Sequence, residues 1–402
     1  MTPPACASRL PLAAIFITVS LDAAGLALIF PVVPGLLRAL TKVDEISALF
    51  GATLSLHAFT QFICAPVLGR LSDRFGRRPV LLLAFAGATV DYSIMACTTQ
   101  LWLLFAGRAL AGLTAAASMA AMAYLTDISP EPLRARRFGL FQACFGAGFV
   151  IGPVIGGVLG GIWLRAPFLA AAVLSAANLA IVLLVLPESH RPVRQAVAWQ
   201  LLNPLVPLRW AITFRALLPL FAALLMISLI GQSYNTVWVL FVEDRFRWSS
   251  HDIGLSLGAF GACVALTQAF AVGPCTRWLG ERGTLLLGLA AEAGGLLILA
   301  TAQASWIVFT LIPLLAFGTI SLPALRSLQT HEVNGEIQGQ LQGVNASVCA
   351  LAAIIGPLIF GWIYGLSRHG WNGGVWLAGV GIYGVTALVV LAVSHRAGER
   401  PA

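Results

Sequence analysis

Charge is what this sequence has least of. Only 10 % of its 402 residues are Asp, Glu, Lys or Arg, against roughly 25 % in an average soluble domain. That is too little polar surface to cover a water-borne globule, so a soluble enzyme and a disordered regulator are both excluded. Lysine is almost missing: Lys42 stands alone beside 23 arginines. The arginines come in short clusters between apolar runs, not as the continuous basic face that nucleic acid needs, so no nucleic-acid partner is expected. The seven cysteines are scattered with no CxxC pair, which excludes a disulfide scaffold and a zinc site. A phosphate loop, an HExxH helix and a nucleophile triad are also lacking. ATP-driven transport and hydrolysis therefore have no support, and the chain is read as a non-enzyme without a permanently bound cofactor or metal.

What is abundant is apolar: 59 % of the residues are hydrophobic and the mean hydropathy is +0.89. A membrane span needs about 20 mainly apolar residues. On that count the sequence predicts an all-α integral membrane protein with twelve transmembrane helices, near 11–37, 47–69, 79–98, 101–125, 138–161, 167–186, 215–242, 252–274, 283–302, 305–326, 338–364 and 372–393. The first of these is no signal-peptide core, because its apolar run continues past Asp22 to Leu37. Loops on the side of the termini carry 17 basic residues and the opposite loops 6, so both termini are expected in the cytoplasm of a multi-pass inner-membrane protein.

The longest connection carries Pro187, Pro192, Pro204 and Pro207. It divides the chain into two six-helix bundles, 1–190 and 215–402, joined by a cytoplasmic loop over 191–214. A repeat supports the division. Gly152-Pro153-Val-Ile-Gly-Gly157 returns as Gly356-Pro357-Leu-Ile-Phe-Gly361, and Gly69–Arg78 returns degenerately as Gly273–Arg282, both at an offset of 204.

Four ionisable residues interrupt the apolar spans: Asp22, Asp91, Arg108 and Glu292. A charge at the bilayer centre costs ~3 kcal/mol even on a mild scale, so each calls for a reason. None has an ionisable counterpart at the 204 offset, where Met226, Gly295, Ile312 and Ala88 stand. A buried acid that alternates between wet and dry surroundings can take up and release a proton, which is the minimum for coupling transport to a proton gradient. The alternative is a static pair, Arg108 with Asp22 or Asp91, that only holds helices together.

The segment Gly69-x-x-Ser-Asp73-Arg74-x-Gly76-Arg77-Arg78-Pro79 reads as a tight turn permitted by Gly69 and Gly76. Asp73 is a candidate anion for the positive end of a neighbouring helix. Span 5 carries Gly146, Gly148, Gly152, Gly156, Gly157, Gly160 and Gly161 with Pro153. Its small-residue faces suit close helix contact at an interface that opens and closes. Polar residues within spans, namely His57, Gln61, Gln232, Asn235, Gln268, Gln342 and Asn345 with Trp238 nearby, are candidates to line a ligand cavity. Interhelical hydrogen bonding is the plainer use for each.

These motifs resemble the Major Facilitator Superfamily. The loop Gly69–Pro79 resembles its signature loop, Leu104-x-x-x-Arg108-x-x-x-Gly112 its span-4 motif, and Gly148-x-x-x-Gly152-Pro153-x-x-Gly156-Gly157 the span-5 motif that marks antiporters. Longer strings resemble the tetracycline efflux proteins: Leu21-Asp22-Ala-Ala-Gly25 with Pro31-Val-Val-Pro34, Asp91-Tyr92, Trp238-Val-Leu-Phe241, Glu243–Trp248 and Gly339-Gln-Leu-Gln-Gly343. The resemblance implies the major facilitator fold, with two bundles alternating access to a midplane site. It implies export of a tetracycline–divalent metal complex, Mg²⁺ entering only with the substrate, in exchange for H⁺. It places Asp22, Asp91, Arg108 and Glu292 in proton coupling, and Gly69, Asp73, Arg74, Gly76, Arg77, Arg78, Gly152, Pro153, Gly156 and Gly157 in the conformational switch. The expected partners are a small-molecule drug and the lipid bilayer, with no obligatory protein. This sequence departs from the pattern in three places: Glu292 where the family has aspartate, Val264 where it has histidine, and Gly112-Leu-Thr-Ala-Ala-Ala-Ser118 after the span-4 arginine. A transporter of another drug, a nutrient symporter and a non-transporting membrane sensor or scaffold stay open beside the exporter.

Overall fold

A computed structural model describes residues 9–189, 206–214, 217–333, 337–368 and 370–398. Among them every regular element is helical, as a chain in hydrocarbon requires: only a helix satisfies its own backbone groups there. In order these are α1 (Arg9–Leu28), α2 (Val33–Thr41), α3 (Ser47–Phe75), α4 (Arg77–Cys97), α5 (Leu101–Leu113), α6 (Ala117–Asp127), α7 (Arg134–Ile162), α8 (Ala166–Leu184), α9 (Val206–Thr213), α10 (Leu218–Phe246), α11 (Ser250–Phe270), α12 (Val272–Thr301), α13 (Ser305–Gly318), α14 (Ser321–His331), α15 (Gln338–Ser367) and α16 (Gly374–Gly398), with a 3₁₀ turn at Glu131–Leu133. Among the described residues twelve stretches are long and apolar enough to cross a membrane, and each coincides with an expected span. Large apolar side chains such as Leu184 and Trp278 stand more than three-quarters exposed, the outside of a body that faces lipid.

Three expected spans are interrupted. Span 1 breaks after Leu28, and α2 restarts at Val33 with Pro34 in its first turn and ends at Lys42 in a left-handed conformation. Span 4 breaks at Thr114–Ala116 between α5 and α6, and span 10 breaks at Thr319–Ile320 between α13 and α14. Hydropathy counts composition and does not see these breaks. The connection over 191–214 lies largely outside the described residues.

The chain forms two compact units. The described residues of the first fall within Met1–Val43, Leu56–Asn203 and Ser249–Gly258; those of the second fall within Asp44–Ser55, Pro204–Trp248 and Ala259–Ala402. The first is built around Ile15, Leu81, Phe85, Tyr124, Leu125 and Val182, all at most 1 % exposed. In it α1 packs on α7 and α4 on α8; in the second α10 packs on α15 and α12 on α16. Glycine sets the closeness of these contacts. A Cβ on Gly152 would stand 2.6 Å from the Ala24 carbonyl oxygen, and one on Gly157 3.0 Å from Gly254 Cα, so the opening turn of α11 counts with the first unit. The first turns of α3 likewise count with the second, where a Cβ on Gly361 would stand 2.6 Å from the Ser47 carbonyl oxygen.

Candidate functional site

The embedded charges of the first unit form a cluster. Asp91, fully buried on α4, and Arg108, 6 % exposed on α5, meet through two contacts. Arg108 Nε donates to Asp91 Oδ1 at 3.1 Å, and its Nη2 pairs with Oδ2. The approach needs Gly107, whose Cβ would stand 2.9 Å from Asp91 Oδ1. The Tyr92 ring lies 5.8 Å from the Arg108 guanidinium carbon and feels the Asp22 charge. Asp22 itself, half-buried on α1, makes no hydrogen bond or ion pair with any described residue. His57 on α3 lies against the Arg108 backbone and under its charge, with Nδ1 buried and unpartnered. Of the two static pairs weighed from the sequence, the structure contains Arg108–Asp91 and leaves Asp22 outside it.

The second unit holds Glu292, 6 % exposed on α12, with its stem against Gly318. Of the predicted ligand residues, Asn235 donates to Gln232 Oε1 at 3.3 Å, and Gln232 packs on Gly356. Asn345 is buried and donates to Gln329 Oε1 at 2.9 Å. Gln268 is exposed and reaches only 3.4 Å from Thr319 Oγ1 at the break in span 10. Gln61 and Gln342 are exposed on α3 and α15. Trp238 is buried among rings: Tyr234, Phe241 and Trp376 join it in one aromatic cluster. The structure thus groups Gln232, Asn235 and Trp238 on α10, and pairs Asn345 with a glutamine that the sequence reading missed.

The segment after Gly69 differs from the turn expected of it. α3 runs on to Phe75, so Gly69 is helical, and Gly76 alone makes the turn, at φ 107°. A helix that continues satisfies backbone groups that a loop would leave to solvent. The anion at the N-terminus of α4 is Glu188, not Asp73: its carboxylate accepts from the backbone N–H groups of Arg77 at 2.8 Å and Arg78 at 3.1 Å. Asp73 pairs with Arg77 one turn away, and Arg77 Nε also reaches Asp127 Oδ2 at 3.1 Å. Arg78 donates to the carbonyls of Val182 and Leu183, while Arg74 stacks over Phe75 at 5.3 Å. The repeat carries a cross-link at the corresponding positions, with the acid on the opposite partner. Glu281 and His331 stand 204 positions after Arg77 and Asp127, and Glu281 Oε1 lies 3.0 Å from His331 Nε2.

A further charge cluster was not foreseen. Arg368 donates to Asp44 O at 2.8 Å, Glu45 Oε2 at 3.2 Å and Asp244 Oδ1 at 2.8 Å, and Tyr364 donates to Asp244 Oδ2 at 2.7 Å. Partial burial disfavours the Glu45 carboxylate. Bonds from the Ser47 hydroxyl and amide and from Arg368 outweigh that and hold its pKa below the usual 4.5. Only the pairing across distant segments marks these residues, and no local spacing announces it. Among the described residues no three His, Cys, Asp or Glu side chains converge to hold a metal ion.

Twelve apolar spans among the described residues, an internal repeat and charges set within those spans define a membrane transporter of the major facilitator fold. The family model described as Major Facilitator Superfamily matches residues 15–249 and 220–402, and the chain belongs to that superfamily. It is 48 % identical over 366 residues to the tetracycline resistance protein, class C, of Escherichia coli, covering 91 % of this chain and 92 % of that protein. It is 45 % identical over 385 residues to the class G protein of Vibrio anguillarum, covering 94 % and 95 %. Among solved structures it is similar to a mutant form of the nucleoside transporter NupG, with a TM-score of 0.80 at 15 % identity over 95 % of this chain and 99 % of that one. It is also similar to the human organic anion transporter MFSD10, with a TM-score of 0.69 at 21 % identity over 97 % and 100 %. At those identities the solved structures establish the fold alone.

Proposed function

We propose that this protein is a proton-coupled exporter of tetracycline in a bacterial inner membrane, with both termini in the cytoplasm, taking the drug as its divalent metal complex and returning H⁺. One observation carries the reading: in a chain 48 % identical to a tetracycline resistance protein, Asp22 stands unpartnered beside a paired Asp91–Arg108. An acid without a fixed cation is free to exchange its proton, whereas the paired acid keeps its charge as long as the guanidinium stays. In this reading an entering proton neutralises Asp22, the change is passed through Tyr92 to the Asp91–Arg108 pair, and release inward resets the site. Arg77, Asp73, Asp127 and Glu188 hold the switch segment, and the glycine faces of α7 give the close contacts it works against. One elementary charge crossing 100 mV is worth ~2.3 kcal/mol, enough for about fiftyfold accumulation. Neither a permanently bound cofactor nor covalent catalysis has a place in this scheme.

The test is uptake of labelled tetracycline into inverted membrane vesicles energised with a proton gradient, with and without Mg²⁺, by the native chain and by Asp22→Asn. Gradient-driven, Mg²⁺-dependent uptake that the variant loses is the expected result. A folded native protein that accumulates no tetracycline would overturn the drug assignment.

A further inference from the structure

The aromatic cluster of the second unit contains more than packing requires. Tyr234 on α10 has its ring 5.8 Å from that of Trp376 on α16, 6.3 Å from Trp238 and 5.9 Å from Phe260 on α11. Two hydrogen-bonding groups in it have no partner: Tyr234 Oη and Trp376 Nε1 are both shut from solvent and bonded to nothing, although buried Tyr and Trp normally find an acceptor. The Glu292 charge falls on Tyr234, and Glu292 makes no hydrogen bond or ion pair with any described residue. Two donors on two helices are left without counterparts in one ring cluster, and an unpartnered acid on a third helix lies within electrostatic range of one of them.

The internal repeat shows that the fold does not need them. The positions 204 earlier hold Phe30 for Tyr234, Pro34 for Trp238, Ala172 for Trp376 and Ala88 for Glu292. The first half therefore has no hydroxyl, indole or carboxylate at these places, and its span 1 breaks after Leu28 where α10 runs on unbroken. It holds Asp22, Asp91 and Arg108 instead, where the second half has Met226, Gly295 and Ile312. Where the first half carries the buried Asp91–Arg108 pair, the second carries a cluster of rings with two open donors.

We infer that Tyr234, Trp376 and Glu292 form a recognition subsite for a planar, oxygen-bearing ring system with a protonated amine. The partly exposed ring of Tyr234 gives the plane its stacking surface, backed by the buried rings of Trp238 and Trp376. Tyr234 Oη and Trp376 Nε1 donate to the ligand's oxygens, and the Glu292 carboxylate accepts from its ammonium group. This rests on the reading of the chain as a tetracycline exporter and assigns the residues that would orient the drug in the second unit.

Tyr234→Phe and Trp376→Phe remove the donors while keeping rings in place, and gradient-driven tetracycline uptake in vesicles separates KM from Vmax for each. The expected result is a KM raised about fivefold by each substitution with Vmax retained, the size of one lost hydrogen bond to a ligand. Glu292→Gln should weaken binding of tetracycline to the detergent-solubilised protein and leave an amine-free analogue unaffected. Unchanged KM in both Phe variants, or a fall in Vmax alone, overturns the subsite while leaving the exporter standing. Equal loss of both ligands in Glu292→Gln overturns the assignment of the acid to the ammonium. A native chain that accumulates no tetracycline removes both readings together.

Discussion

Asp91 and Arg108 close on each other through both carboxylate oxygens in the interior of the first unit. Removing one member of a buried pair leaves the other charge uncompensated, at about 3–5 kcal/mol, whereas removing both can be nearly neutral. Asp91→Asn and Arg108→Gln should therefore each lower the unfolding temperature sharply in detergent, and the double variant should recover most of the loss. Uptake should stay abolished in all three if the pair is part of the coupling site. A double variant that regains gradient-driven uptake would mean that the pair only holds helices.

The glycines of α7 are not equivalent. A Cβ on Gly152 would meet the Ala24 carbonyl oxygen at 2.6 Å, and one on Gly148 would stand 3.0 Å from Ala23 Cβ, whereas Gly146 and Gly161 have nothing within 4 Å. Gly152→Ala should push α1 and α7 apart, destabilising by about 1–3 kcal/mol as overpacking does. Gly146→Ala should be neutral or stabilising by up to about 1 kcal/mol from helix propensity. Thermal unfolding of the two variants side by side checks the contrast, and equal shifts would contradict it.

Sequence periodicity and repeat reveal most of this architecture because hydrocarbon leaves a chain few choices. All twelve spans and the glycine-rich face of span 5 were legible in that way. The charges Asp22, Asp91, Arg108 and Glu292 stood out because each is costly where it lies. What was not legible depends on pairing at a distance. Nothing local shows that Arg108 chooses Asp91, that Glu188 caps α4 from 110 residues away, or that Arg368 gathers Glu45 and Asp244. Tyr234 and Trp376 were passed over for the same reason: an aromatic residue in an apolar span gives no sign that its donor is unpartnered. The exchanged pair Glu281–His331 could have been found by carrying Arg77 and Asp127 forward along the repeat.

The Glu45–Arg368 contact makes stability depend on pH in one direction. Glu45 is held below its usual 4.5 in the folded protein, so its contribution is complete above that value. It is lost as pH falls through the lower folded value, where the carboxylate finally takes a proton. The native protein should lose unfolding temperature on acidification below about pH 4.5, and Glu45→Gln should flatten that part of the profile by lowering the unfolding temperature slightly at neutral pH, the two proteins converging in acid. Parallel profiles for the two proteins would remove Glu45 from the account.

Gly76 and Gly280, 204 positions apart, both take positive φ, 107° and 67°, yet they should differ in tolerance. Positive φ with ψ of 166° at Gly76 and 176° at Gly280 is a region that essentially only glycine populates. An alanine at either site therefore bears backbone strain of roughly 1–3 kcal/mol. At Gly280 that is all, because its Cβ would meet nothing within 4 Å. At Gly76 the new methyl would also strike the Glu188 carboxylate, displacing the acceptor of two α4 backbone donors. Losing that cap adds about 1 kcal/mol. Gly76→Ala should therefore unfold at a lower temperature than Gly280→Ala, and Glu188→Ala combined with Gly76→Ala should add little to the single glycine change, since both remove the same cap. Additive losses in the double variant would show that the methyl and the carboxylate act independently.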